Sequence, residues 1–242
     1  MSADYGPRGR IGIAVPHANP TVEPELRFLV PSALGVYATR LTHPSPNVEE
    51  RISHYIRHIP DAIRSFGPMA GLKAFGFACT GSSYMVSPVE EDQLTAAAEA
   101  DCGLPVVTAA QAIRAALVVH GARSIALVAP YPAELVEAAA RYWERAGIRI
   151  TARLRVDPQL RDTHRIYELT SGDAERAIER IERSGADCVL ASGTGMPTLA
   201  ALKSLRGRLE LPVLSSNLCL AWAVTRLAAP ELAPPEPGGL LA

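Results

Sequence analysis

The chain echoes itself at a fixed spacing, and this limits the folds open to it more than any other feature. "RIGIAVP", ending at Pro16, returns as "SIALVAP", ending 114 residues later at Pro130. "GFACTG" sets Cys79, Thr80 and Gly81 against Gly193, Thr194 and Gly195 of "LASGTG", again 114 residues apart. A third pair, "LPVVTAA" from Leu104 and "LPVLSSN" from Leu211, is displaced by 107, a shift that unequal loops explain. Self-similarity at a long period marks a duplicated structural unit. A chain of 242 residues is long enough for two small lobes.

Each half carries the same alternation. Short apolar or β-branched runs bounded by turn residues read as strands: "RIGIAV", "LGVYATR", "AFGFA", "PVV", "SIALVA", "GIRITAR", "DCVLAS" and "PVLS". Between them lie helical patterns. From Asn47 to Phe66 the residues Val48, Ile52, Ile56, Ile59, Ile63 and Phe66 form one apolar stripe, with Glu50, Arg57 and Arg64 projecting elsewhere. Ser87 to Glu90 and Thr108 to Gln111 each read as a capping box at a helix start. Strands alternating with helices predict parallel α/β architecture with right-handed crossovers, and the repeat predicts two similar α/β lobes related by a pseudo-twofold axis. The expected first lobe is 1–107 plus 216–242 and the second 108–215, because the helix near Asn217 to Ala228 is placed to cross back. The loops after Pro16, Ala78, Pro130 and Ser192 then meet in one cleft between the lobes, with Cys79 on one wall and Gly193 opposite. The tail "APELAPPEPGGLLA" is too rich in Pro and Gly to be expected to carry structure.

Charge narrows the partner. A net charge of −1 offers no basic field for nucleic acid and no polybasic patch for a membrane surface, so a small molecule is the expected partner, with homo-oligomerisation left open. Cys79, Cys102, Cys188 and Cys219 form no C-x-x-C pair and no disulfide framework, which fits a reducing compartment. The opening residues lack a signal-peptide core and no apolar run is long enough for a bilayer, so the expected location is the cytoplasm.

"FGFACTGSSYM" delivers Cys79 at a strand's carboxyl end, where open α/β sheets place their ligands. A buried free thiol is the dull alternative. The small residues Thr80, Gly81, Ser82 and Ser83 permit a tight turn with backbone N–H groups aimed above the strand. Asn19 either binds a ligand or closes a turn before Pro20; Tyr131, between Pro130 and Pro132, is a site hydroxyl or a loop aromatic. "GTGMPT" lacks the third glycine and the acidic strand end of a dinucleotide loop, which argues against a nicotinamide cofactor. His54 and His58 stand at i, i+4 without the glutamate of a zincin, so no metal site is expected there.

"VPHANPTVEPEL", "FGFACTGSSYM", "VAPYPAEL" and "LASGTGMPTLAAL" together resemble the aspartate/glutamate racemase superfamily, in its maleate cis–trans isomerase and arylmalonate decarboxylase branch. The resemblance spans nearly the whole chain. It implies two Rossmann-like (flavodoxin-like) α/β lobes with the active site in the interlobe cleft, and an enzyme without metal or organic cofactor that uses cysteine thiols on small carboxylates, here a small dicarboxylate. Racemases and maleate isomerases carry one cysteine on each wall. Here Cys79 matches the first, whereas the second position reads Gly193; Cys188 lies five residues earlier, inside the strand, and reads as core. The decarboxylase has the reverse arrangement, with its thiol in the second lobe.

The resemblance also implies catalytic roles for Cys79 and Tyr131. Substrate contacts would come from Asn19, Thr80, Gly81, Ser82, Gly193, Thr194, Gly195 and His164. Thr163 or His164 would replace an asparagine of the isomerases. A single thiol rules out two-base racemisation but suffices for two other reactions. It can add to an activated double bond, allow rotation and leave, or it can protonate the enediolate left by decarboxylation. Backbone N–H groups of Thr80, Gly81, Thr194 and Gly195 would then hold anionic oxygens and favour Cys79 as thiolate. Asn19 and first-lobe Cys79 favour isomerisation; the lone thiol favours decarboxylation. A carboxylate-binding protein that has lost catalysis is the third reading.

Overall fold

Eight parallel strands build two four-stranded sheets. β1 (Gly9–Pro16), β2 (Leu34–Leu41), β3 (Ala74–Phe77) and β4 (Val106–Thr108) lie in the order β2-β1-β3-β4. β5 (Ser124–Ala129), β6 (Arg149–Arg155), β7 (Cys188–Ala191) and β8 (Val213–Ser215) lie in the order β6-β5-β7-β8. The structure is a computed structural model that describes residues 4–67 and 71–242; residues 1–3 and 68–70, inside the expected first lobe, lie outside the described residues. Every expected strand run is a strand, and the sequence offset reappears as register. Ile11 faces Ala74 in one sheet as Ile125 faces Cys188 in the other, both partners displaced by 114. Phe75 faces Val106 as Val189 faces Val213, so the step to 107 falls between β7 and β8.

Helices cover the sheets: α1 (Val22–Leu29), α2 (Val48–Arg57), α3 (Ile59–Arg64), α4 (Thr80–Ser83), α5 (Pro88–Cys102), α6 (Ala109–Val119), α7 (Ala133–Arg145), α8 (Ser171–Arg180), α9 (Leu199–Leu205) and α10 (Ser216–Ala228). Thr108 makes a full capping box with Gln111. Ser87 accepts from the Glu90 N–H at 3.1 Å, but the Glu90 carboxylate turns to Arg57, so only half of that box forms. The single stripe expected from Asn47 to Phe66 is two helices. Pro60 has no N–H for the Ile56 carbonyl, and the chain breaks at His58 before α3 resumes.

α10 follows β8 in sequence yet packs on β1, β3 and β4. Gly76 is the reason it can approach so closely: a Cβ there would stand 2.8 Å from Ile13 and 2.9 Å from Val224. α10 also orders the tail, against expectation. Trp222 Nε1 donates to the Pro234 carbonyl at 3.0 Å, and Leu240 and Leu241 pack on the core. Prolines that forbid a long helix still fit two short 3-10 turns, Pro230–Leu232 and Pro237–Leu241.

The halves are joined by buried carboxylates. Glu25 of α1, 5% exposed, accepts from the N–H groups of Thr198 and Leu199 at 2.5 and 2.7 Å. It also accepts from Asn217 Nδ2 at 2.7 Å. Burial raises its pKa, and these donors pull it back only in part. Replacing Glu25 by Ala strands the donors, at a cost of about 3–5 kcal/mol and a fall of roughly 6–20 °C in melting temperature. The raised pKa has a second consequence. Because the folded state holds this proton more tightly, its contribution to stability is present below the ordinary carboxylate pKa and lost as pH rises through the raised one. In urea titrations from pH 4 to 7, the parent should therefore lose stability relative to Glu25→Gln as pH increases.

Candidate active site

Four strand ends meet, and each presents a side chain because its turn fixes it. After β1 the Asn19 carboxamide oxygen accepts from the N–H groups of Thr21 and Val22 at 2.8 and 3.3 Å. That orients Nδ2 toward Thr194 Oγ1, 3.4 Å away. Asn19 thus closes the turn with its oxygen and presents its nitrogen. After β3, Cys79 is the N-cap of α4, and its sulfur accepts from Ser82 Oγ at 3.1 Å. After β5, the Tyr131 hydroxyl donates to Thr80 Oγ1 at 3.1 Å. After β7, Thr194 Oγ1 donates to the Ala78 carbonyl at 2.8 Å, lacing one lobe's strand end to the other's.

These loops surround a cavity of about 70 Å³. His17, Asn19, Cys79, Thr80, Gly81, Tyr131, Thr194 and Gly195 line it from the strand ends. Arg51, Ile52 and Tyr55 line it from α2, and Thr163, His164, Ile166 and Tyr167 from the 3-10 turn Thr163–Glu168. Among the described residues no Asp or Glu lines it. Arg51 brings a permanent cation, so the cavity suits anions. Among the described residues no cluster of His, Cys, Asp and Glu has the arrangement of a metal site.

Burial controls the titrating groups. It raises the Cys79 thiol above its ordinary pKa, and the hydrogen bonds from Ser82 and the Gly81 and Ser82 backbone offset this only partly. Tyr131 is pushed up to about 12, mainly by burial. Tyr55 and Tyr167 are raised by burial and by the charge Cys79 can carry, with Arg51 opposing. His17 is lowered by burial, then by His164 and Arg51, and so rests neutral at pH 7.

Of the residues expected from sequence, Asn19, Cys79, Thr80, Gly81, Tyr131, His164, Thr194 and Gly195 line the cavity. Two do not. Ser82 is fully buried behind Cys79 and serves the sulfur. Gly193 donates its N–H to Ser216 Oγ at 2.9 Å, and its φ of +110° favours glycine. A Cβ at 193 would stand 2.8 Å from the Pro130 ring and 3.3 Å from the Tyr131 hydroxyl, so the expected open second wall is filled by Tyr131. The expectation of a thiolate favoured by N–H groups is also corrected: desolvation outweighs them, and the resting group is the thiol. Sequence reasoning missed His17, Arg51, Tyr55 and Tyr167. Arg51 sits in the helical pattern that was read only for its apolar stripe, at i−4 from Tyr55 and flanked by Glu50 and Ile52, and nothing in that spacing sets it apart.

The family whose model matches this chain, over residues 11–241, is described as arylmalonate decarboxylase. Maleate isomerase of Geobacillus stearothermophilus is 26% identical over 250 residues, spanning 96% of each chain. A cysteine-to-alanine variant of Pseudomonas putida maleate isomerase, solved with maleate, superposes with a TM-score of 0.79 at 20% identity, over 90% of both chains. The Nocardia farcinica maleate cis–trans isomerase, a cysteine-to-serine variant with a covalently bound succinylcysteine intermediate, reaches 0.78 at 23% identity over 90% of this chain and 92% of that one. A liganded arylmalonate decarboxylase variant with one glycine changed to cysteine and one cysteine to serine reaches 0.79 at 24% identity, over 92% and 94% of the two chains. These likenesses establish the two-lobe fold.

Two measurements follow from the geometry. In a Cys102→Ser background, alkylation of Cys79 by iodoacetamide should be slower at pH 7.5 than that of a free thiol and should accelerate above the usual thiol range; Ser82→Ala should slow it further at a given pH, read by mass spectrometry. Gly193→Ala should destabilise the fold by about 1–3 kcal/mol in urea titration, because the left-handed backbone and Pro130 both oppose a side chain.

Proposed function

The chain belongs to the arylmalonate decarboxylase family, and on that footing we propose that it is a cofactor-independent, cysteine-dependent enzyme that isomerises a small unsaturated dicarboxylate from cis to trans. The observation that carries this reading is a single thiol, Cys79, in a small cavity lined by donors and a cation and by no carboxylate. The sulfur adds to one alkene carbon, forming a C–S bond, while the π electrons move onto the other carbon and its carboxylate. The thiol gives its proton up to solvent water as the sulfur attacks. Asn19 Nδ2 and the hydroxyls of Tyr131 and Tyr167 hold the enediolate oxygens, which strengthens their hydrogen bonds as charge develops. The former double bond, now single, rotates. The electrons return, the C–S bond breaks, and the trans diacid leaves as the sulfur recovers its proton.

A second reading has its own support. A thiol that burial keeps protonated at rest holds the proton that decarboxylation of a malonate-type diacid requires once the enediolate has formed. Incubation with maleate should give fumarate without gas, followed by proton NMR, whereas aryl- and alkylmalonates should release no carbon dioxide; the reverse result selects decarboxylation. Either reaction should fall by at least about 10³-fold in Cys79→Ala, while Cys188→Ala and Cys219→Ala retain it. Undiminished turnover in Cys79→Ala would remove the thiol from the mechanism.

A further inference from the structure

We propose that Arg51 is the specificity-determining anchor for a second carboxylate, so that this cavity selects dianions over monoanions of the same shape. The proposal rests on the diacid reading above and adds the residue that enforces it. Arg51 is 7% exposed, projects from α2 and lines the cavity. Its Nη1 donates to the backbone carbonyls of Pro46 and Ser45 at 2.8 and 3.3 Å, which fixes the head group before any ligand arrives. Among the described residues no carboxylate lies within ion-pair distance of it; the neighbouring acid, Asp162, is turned to the N–H and ring of His164. A buried guanidinium with no carboxylate in contact is costly, and the cavity it lines is where an anion would relieve that cost.

The position of Arg51 relative to the thiol gives the ligand two ends. Asn19, Cys79 and Tyr131 line the cavity from the strand ends, and Tyr131 bonds Thr80 there, whereas Arg51 and Tyr55 line it from α2. One carboxylate is thus assigned to the strand ends with Asn19 and Tyr131, and the other to α2 with Arg51, Tyr55 and His17, whose ring nitrogen is 3.4 Å from the Tyr55 hydroxyl. The planar fork of arginine matches a carboxylate in two-point contact, which lysine does not reproduce.

The test separates charge from shape. Maleate and its monoamide, maleamate, have nearly the same outline and differ by one negative charge. Calorimetric binding is measured in a Cys79→Ala background, so that no chemistry intervenes. Maleate should bind about 10–100-fold more tightly than maleamate. Arg51→Gln should abolish that ratio by weakening maleate alone, and Arg51→Lys should restore part of it. Equal affinities for the two ligands before Arg51 is changed would overturn the proposal, as would a loss of both ligands in parallel in folded Arg51→Gln and Arg51→Lys proteins, which marks a merely structural role. The outcome does not depend on turnover. A protein that discriminates charge yet converts no diacid would refute the isomerase reading and leave this one standing.

Discussion

The buried Glu25 carboxylate is the joint on which the geometry of this molecule turns. It sits on α1 of the first sheet's half and holds the start of α9, in the second half, by two backbone N–H groups. Asn217 of α10 completes the grip and also donates to the Thr194 carbonyl at 3.1 Å. A single charge therefore sets the height of the loop that carries Thr194 and Gly195. The pseudo-twofold axis supplies a counterpart with the roles exchanged. Glu91 of α5, which occupies the first half's version of α9, accepts from Tyr142 of α7, the second half's version of α1. Thr108, at the position matching Ser215, donates to Glu91 at 2.6 Å. Acid stands on opposite partners of the two interfaces, so symmetry is kept in geometry and not in residue type.

From that joint the site inherits its rigidity. Ser216, at the start of α10, accepts the Gly193 N–H and lies 3.4 Å from Thr80 Oγ1, touching both strand-end loops from below. Arg155 ties the Tyr131 carbonyl to the Leu160 carbonyl, at 3.1 and 2.7 Å, and so positions the loop bearing Tyr131 and the approach to the 3-10 turn. Groups locked in this way do not need to reorganise as charge develops on a bound substrate, which is how preorganised donors lower a barrier. The same enclosure keeps the thiol protonated at rest, because desolvation acts on the sulfur more strongly than the short α4 helix does.

The fold was legible because its signals are local or periodic. Eight strand runs, a constant offset and a full capping box at Thr108 need no knowledge of what packs where. Cys79 was legible from its strand-end loop, and Asn19 and Tyr131, whose residues alone left two readings open, from the family resemblance; all three line the cavity. Arg51 and Tyr55 were not, because they reach the cavity from a helix whose sequence pattern announces only its apolar side. Gly193 misled for a different reason. Its alignment with Cys79 is correct in register, but a left-handed backbone turns the matching direction into Pro130 and Tyr131. The tail misled because composition measures what a segment cannot build alone and says nothing of the Trp222 side chain waiting to receive it.

Duplication gives two walls, and divergence has equipped them differently. One wall offers a thiol; facing it, where a second thiol has no room, stands a hydroxyl held protonated with a pKa near 12. A carbon between them has a nucleophile or proton donor on one face and a hydrogen-bond donor, not a base, on the other. Racemisation by two facing thiols lacks its second thiol here. What remains is chemistry in which one face reacts and the other stabilises charge, and addition followed by elimination and decarboxylation followed by protonation both have that form. The choice between them passes from the symmetric framework to the groups that symmetry does not repeat, foremost Arg51, which reaches the cavity from α2 and is the anchor proposed for a second carboxylate.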